Sequence, residues 1–226
     1  KTAEENNNMA KSAIGLLFGV IIYLFIFMYG VQVMKAVIEE KSNRIIEVLV
    51  SAVKPFELMM GKIIGIMLVG LTQFTIWVAL CSLSITILSV VAFPDMMEAA
   101  NQAEMMQSNI GNEVTMDNEF ADIVFRQINW PLMIGLFLFY FVGGYLLYGS
   151  LMAAIGSAVD SETDTQQFMI PLSAPLAFAY IIAINIIGNP HGSTAFWCSE
   201  IPFTSPVVML VRVAIGGEGM VWQVLL

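Results

Sequence analysis

The side chains in this sequence that are best suited to chemistry are charged residues lying between two long uncharged segments. The stretch 33–62 holds five of the nine Lys and Arg residues: Lys35, Lys41, Arg44, Lys54 and Lys62. In membrane proteins the loops enriched in Lys and Arg are the cytoplasmic ones. We therefore predict that this stretch faces the cytoplasm and binds a protein partner there.

The first half of the stretch has the spacing of an amphipathic helix. Its apolar side carries Val37, Ile38, Ile45, Val48, Leu49 and Ala52, and its polar side carries Glu39, Glu40, Asn43, Arg44 and Glu47. Glu40 precedes Arg44 by one helical turn, the order that favours an ion pair, so we predict that the two side chains pair. Pro55 is predicted to end the helical pattern, because proline cannot continue the hydrogen-bond ladder.

A helix lying in the lipid headgroup layer is the alternative interpretation of this pattern. The acids Glu39, Glu40, Glu47 and Glu57 nearly cancel the five bases. Because this near-neutrality weakens attraction to anionic lipid, we favour binding to a partner.

The composition indicates a polytopic membrane protein. Hydrophobic residues make up 58% of the chain and charged residues 12%, whereas a soluble domain carries about 25% charged residues. The formal net charge of -9 arises from acids gathered in loops, so no nucleic-acid partner is predicted. The sequence has no phosphate-binding loop, no zinc-protease motif and no nucleophile elbow, and no metal site is predicted.

The uncharged segments and the basic stretch together give an all-α transmembrane bundle. We predict the following order: an external lead-in at 1–12, a span at 13–34, a cytoplasmic basic region at 35–62, a span at 63–93, an acidic external loop at 94–129, a span at 130–159, a cytoplasmic link at 160–167, a span at 168–187, an external loop at 188–218 and the start of a last span at 219–226. Because both ends lack the features of a complete chain, we expect a piece of a longer protein.

Four groups of residues in this bundle are predicted to affect helix packing, helix shape or a transport pathway. Thr72, Gln73 and Thr75 form a polar seam that either bonds to protein or lines a pathway. Gly15 and Gly19 form a GxxxG pair, and the span 130–159 carries a stripe of small residues, both of which favour close helix packing. Pro171 and Pro175 are predicted to bend or break their span.

The external loop at 188–218 contains an apolar run that is too short to cross a membrane. Val207 to Ile215 is apolar except for Arg212, so we predict a re-entrant or interfacial helix there. The residues assigned to this external element are Glu200, Pro202, Phe203, Pro206 and Arg212.

Three segments resemble a known family. The stretch VIEEKSNRIIEVLVSAVKPFELMMGKIIG (37–65), followed by QFTIW (73–77), is similar to the type-2 ABC export permeases, in particular the NatB-like sodium-efflux branch. GSLMAAIGSAVDSETDTQQFMIPLSAP (149–175) and SEIPFTSPVVMLVR (199–212) resemble the later signatures of that family. The resemblance implies a six-helix permease whose first helix and large external domain precede Lys1 and whose last helix begins near Val221.

The resemblance also implies a function and partners. Two such permeases pair, as identical or homologous copies, and each is coupled to a cytoplasmic ABC ATPase that binds ATP and Mg. The chain itself would bind no cofactor, would not be an enzyme and would lie in the cytoplasmic (inner) membrane. The coupling residues would be Glu39, Glu40, Lys41, Asn43, Arg44, Glu47 and Pro55. An ion-coupled carrier or channel that needs no ATPase is the alternative function.

Overall fold

The computed structural model describes residues 2–43, 54–91, 129–159 and 162–216, and these residues form helices and no strand. The helices are α1 (Thr2–Ser42), α2 (Pro55–Val91), α3 (Trp130–Ala158), α4 (Glu162–Asn185), α5 (Ser193–Glu200) and α6 (Ser205–Gly216), with a 3-10 turn at Ile186–Gly188. Helices α1 to α4 are long and apolar enough to cross a membrane. The predicted all-α polytopic bundle is therefore confirmed.

The contacts along α1 and α3 show that these two helices run in the same direction. At one end the rings of Phe18 and Trp130 lie 6.1 Å apart. At the other end Lys41 Nζ lies 3.3 Å from the carbonyl oxygen of Ser157. Since the chain must cross the membrane once between two consecutive parallel spans, α2 is the helix that returns between α1 and α3.

Helix α2 runs antiparallel to both neighbours. Phe74 stacks on Phe137 with ring centroids 4.6 Å apart, and nearer the start of α2 Tyr145 donates to the carbonyl oxygen of Ile63 at 2.9 Å. Later residues of α2 thus contact earlier residues of α3, which is the pattern of two antiparallel helices. These aromatic contacts, together with Phe25 and Phe141, form the centre of the hydrophobic core.

Glycine allows two unusually close helix approaches. A Cβ atom at Gly156 would lie 2.8 Å from the carbonyl oxygen of Met34, so α3 contacts the backbone of α1 directly. A Cβ atom at Gly15 would lie 2.9 Å from the Cβ of Ala214 on α6. Within the predicted small-residue stripe Gly143 is different, because it faces open space.

Helix α6 is buried inside the bundle. Residues 205–214 are all buried, and α6 packs against α1, α3 and α4. Pro206 lies against Gly144 in the middle of α3, whereas Ala214 lies against Gly15 near the start of α1. The helix therefore runs from the middle of the bundle towards one end, which is the geometry that a re-entrant helix requires.

Two segments refine the sequence-based expectation, which allowed Pro171 and Pro175 either to bend or to break their span and assigned no secondary structure to the lead-in. Helix α4 continues through Pro171 and Pro175, because neighbouring helices can stabilise a span that lacks a few backbone hydrogen bonds. Helix α1 begins at Thr2, so the polar lead-in is helical. Extending an existing helix avoids the cost of nucleation, which makes an Asn-rich extension acceptable. Residues 94–128 of the predicted acidic loop (94–129) and the predicted start of a last span at 219–226 lie outside the described residues.

Candidate functional sites at the two ends of the bundle

The first candidate site lies at the end of the bundle where α1 and α3 finish and α2 begins, which we call the basic end. Lys62 Nζ lies 2.5 Å from Glu40 Oε2 and also donates to the carbonyl oxygen of Ala36 at 3.1 Å. The lysine side chain is 10% exposed and the glutamate side chain 28% exposed. An ion pair shielded from water in this way joins α1 to α2.

The predicted pairing of Glu40 with Arg44 lies outside the described residues, and the partner that the structure shows for Glu40 is Lys62. Glu40 faces α2 and its carboxylate meets Lys62, while Arg44 lies outside the described residues. A surface pair one turn apart contributes about 0.2–0.5 kcal/mol. A partly buried pair between helices leaves an uncompensated charge when it is broken, so the geometry of the bundle decides the partner of Glu40.

Lys41 connects α1 to the end of α3. Its ammonium group lies 3.3 Å from the carbonyl oxygens of both Ser157 and Val159. The last carbonyl groups of a helix have no partner within the helix, and a positive charge near them is favourable. Lys41 therefore stabilises the C-terminus of α3 while holding it beside α1.

The remaining predicted coupling residues face outwards or lie outside the description. Glu39 and Asn43 are exposed on the last turn of α1. Pro55 is exposed and is the first residue of α2, a position where its fixed backbone angle favours a helix start. Glu47 lies outside the described residues. Of the described members of the predicted set, Glu40 and Lys41 join helices, whereas Glu39, Asn43 and Pro55 are exposed to a partner.

All three predicted pathway residues are exposed on α2. Gln73 Oε1 accepts a hydrogen bond from Tyr29 at 2.6 Å, which links α1 and α2. Thr72 and Thr75 are exposed, and their hydroxyl groups donate to Leu68 and Leu71 of their own helix at 2.5 and 2.9 Å. Such bonds to the preceding turn are the usual arrangement for threonine in a helix that crosses a membrane.

The second candidate site is the re-entrant pair, which we define as α5, α6 and the turn 201–204 between them. Arg212 is 1% exposed. Its Nε donates to the carbonyl oxygen of Pro190 at 3.0 Å, and its Nη1 donates to Ser199 Oγ and contacts Met209 Sδ at 3.9 Å. The guanidinium group thereby fastens the segment before α5, the end of α5 and the face of α6 to one another.

The turn of the re-entrant pair reaches the interior of the bundle. Tyr148 donates to the carbonyl oxygen of Phe203 at 2.9 Å, and the two rings lie 5.9 Å apart. Roughly 27 Å of helix rise separates Tyr148 from Trp130 at the start of α3. Of the residues predicted for this element, Pro206 is buried against α3, whereas Glu200 and Pro202 are exposed.

Several of these partners could not be found from the sequence. Tyr148, Ser199 and Lys62 are ordinary residues of their segments, and each acquires its role through a residue distant in the chain. Arg212 did carry a signal, because it is the single charge in an apolar run. Across the described residues no group of His, Cys, Asp and Glu could hold a metal ion.

Comparison with known proteins assigns the chain to a family. The model of the ABC-2 family transporter protein matches residues 1–226. The chain is 29% identical over 213 residues to the uncharacterized protein YhaP of Bacillus subtilis, covering 94% of this chain and 45% of that protein. It is also 29% identical over 203 residues to the uncharacterized protein MJ1024 of Methanocaldococcus jannaschii, covering 89% of this chain and 40% of that protein.

The chain spans less than half the length of these two relatives. No solved structure matches it. The family model nevertheless extends over every residue of the sequence. The part of the chain that the structure describes contains four helices able to cross a membrane. The chain therefore belongs to the ABC-2 family of transporter proteins and is a multi-pass membrane protein.

Proposed function

We propose that this chain is the permease part of an ATP-driven ABC exporter, which moves its substrate out of the cytoplasm together with a separate ATPase subunit. Membership of the ABC-2 family supports a transport role in the membrane. ATP and Mg would be bound by the ATPase, and a second permease, identical or homologous, would complete the complex in the cytoplasmic membrane. The candidate substrates are Na+, drug-like molecules and lipids.

The observation that carries the proposal is the arrangement of the basic end. Glu39 and Asn43 are exposed on the last turn of α1. On the same turns, Glu40 and Lys41 bond to Lys62 of α2 and to the end of α3. A force applied by a partner to the exposed turn would therefore reach three spans at once.

This geometry favours a rigid-body mechanism. ATP binding would close the ATPase dimer and press on the end of α1, and the polar bonds would carry that displacement to α2 and α3. Close-packed interfaces switch between discrete arrangements instead of deforming continuously. The direct backbone contact at Gly156 makes such a switch the expected response of α1 and α3.

An ion-coupled carrier is the second candidate function, and the buried Arg212 is the observation that favours it. Ionisable residues at membrane depth often mark ion pathways. Such a carrier would transport its substrate without ATP, so substrate flux in vesicles that contain the chain and lack any ATPase would favour it over the exporter.

The proposal is tested by co-purifying the full-length protein with candidate ATPases. We expect Glu39→Lys to weaken the complex by about tenfold or more, because reversing a charge at an interface removes an attraction and creates a repulsion. Glu39 is more suitable than Glu40, since Glu40 also supports the bundle through Lys62.

The matched control is Glu57→Lys, which makes the same charge change on an exposed residue of α2 at the same end. Glu57 is not among the predicted coupling residues, so this variant should co-purify like the unmodified protein. Equal binding by the Glu39 variant and the unmodified protein would contradict the assigned coupling site.

A further inference from the structure

The exposed side of α5 combines a carboxylate with aromatic rings. Phe196, Trp197 and Glu200 lie on one side of this helix at three- and four-residue spacing. The rings of Phe196 and Trp197 lie 5.6 Å apart at 80°, and Trp197 is 65% exposed. Phe203 of the adjoining turn is 38% exposed as well.

Within the described part of the chain, the Glu200 carboxylate is not neutralised by an ion pair. Arg212 attracts Glu200 electrostatically, but its guanidinium group bonds to Pro190, Ser199 and Met209. No hydrogen bond or ion pair joins Glu200 to any described residue. The carboxylate is therefore available to a ligand, on the same exposed side of α5 as the two aromatic rings.

The position of this patch argues against simple exposure to water or to lipid tails. Glu200 interacts electrostatically with Tyr140, which bonds to Ser205 at the start of α6, and the turn that follows Glu200 contacts Tyr148 inside the bundle. A bare carboxylate facing hydrocarbon is strongly unfavourable. Large aromatic rings facing water also leave apolar area unburied.

A ligand that is both positively charged and apolar would interact with the carboxylate and with the aromatic rings. A positive charge over an aromatic face is attracted by the ring, and the attraction grows when water is excluded. An anionic carboxylate adds a direct charge interaction with the same group. Inorganic cations would use the carboxylate and leave the rings without a role.

We propose that Phe196, Trp197 and Glu200 form a binding site for lipophilic organic cations. The inference rests on the proposed function in one respect, because it names the substrate class of the exporter. The carboxylate would hold the charged centre, the two rings would cover its apolar groups, and Arg212 would keep α5 in place without contacting the ligand.

The experiment uses tetraphenylphosphonium as the probe and the full-length protein in lipid nanodiscs. Tetraphenylborate has the same shape and the opposite charge, so it is the matched control ligand. We expect the protein to bind the phosphonium at least tenfold more tightly than the borate. Glu200→Gln should weaken phosphonium binding about tenfold, and Trp197→Leu should weaken it about fivefold.

Further variants separate recognition from a loss of folding. Glu200→Asp keeps the charge and should retain most of the binding, whereas Glu57→Gln at the basic end should bind like the unmodified protein. Equal binding of the two probes, or equal loss in the Asp and Gln variants at residue 200, would overturn the proposal.

Failure of the cation site can be distinguished from failure of the proposed exporter function. Binding is measured without an ATPase, so loss of phosphonium binding in Glu200→Gln supports the site even if no ATPase co-purifies. If an ATPase co-purifies and Glu200→Gln binds the phosphonium normally, the exporter function stands and the cation site is overturned.

Discussion

The basic end and the re-entrant pair use charged residues in opposite ways. At the basic end, Glu40, Lys41 and Lys62 make bonds between different spans, α1 to α2 and α1 to α3. In the re-entrant pair, Arg212 bonds to Pro190, Ser199 and Met209, all within one continuous segment of the chain. The bonds at the basic end therefore connect different spans of the bundle. The bonds of Arg212 hold one local element together, and that element packs against the spans as a unit.

This difference separates two ways of holding helices together in one membrane bundle. At the basic end polar bonds join the spans, and the proposed mechanism uses these bonds to transmit displacement. The re-entrant pair is fastened to the spans mainly by close apolar packing, with Gly15 and Gly19 against α6, and by the hydrogen bond from Tyr148. Perturbing a charge at the basic end should therefore affect several helices, and perturbing Arg212 should affect one segment.

The largest effect is expected from Lys62→Met. It leaves the partly buried Glu40 without its partner, and breaking such a pair costs about 3 kcal/mol. Unfolding in detergent should show the loss, and amide exchange should rise at the ends of both α1 and α2. The double variant Glu40→Leu/Lys62→Met should recover most of the stability. If amide exchange rises in α2 alone, the conclusion that this ion pair joins α1 to α2 is contradicted.

A smaller effect, of about 2 kcal/mol, is expected from Arg212→Met. The change removes hydrogen bonds from a charged donor, and it leaves the Ser199 hydroxyl and the Pro190 carbonyl without that donor. Hydrogen exchange should increase in α5 and in 188–192 while the basic end stays protected. Loss of protection at Lys41 or Lys62 would remove the distinction between the two ends.

The smallest effect is expected from Tyr148→Phe, which deletes the hydroxyl group that bonds to Phe203 and keeps the ring contact. The expected loss of unfolding free energy is about 1 kcal/mol. Cysteine substitution at the exposed Pro202 provides a reporter, since labelling of that residue should become faster when the turn loosens. Unchanged labelling would show that ring packing alone holds the turn in the bundle.

Much of the architecture could be predicted from the sequence because it depends on local composition. Long uncharged segments predict spans, and the GxxxG pair at Gly15 and Gly19 predicts a close helix contact, although its partner α6 could not be identified. The short apolar run around Arg212 likewise marks a helix that cannot span. Each of these signals lies within a single segment.

The contact of Glu40 with Lys62 could not be predicted for a physical reason. The rule for charges one turn apart describes an isolated helix surface, so it considers only partners on the same helix, such as Arg44. The choice of Lys62 depends on how α1 and α2 are rotated and shifted against each other, which is set by packing at positions such as Tyr29, Gly70 and Phe74. Likewise, the burial of Arg212 depends on α1, α3 and α4 surrounding α6.

The contact between Gly156 and the backbone at Met34 bears on how the protein can change over evolutionary time. No side chain can be added at 156 unless α1 withdraws, and withdrawal would also separate Val37 from α3. We expect relatives with a larger residue at 156 to carry a larger one at 37 as well, because the side chain at 37 would have to fill the gap that opens when α1 withdraws. The distance between α1 and α3 would then be determined jointly by the residues at 156 and 37, and neither residue alone would determine it.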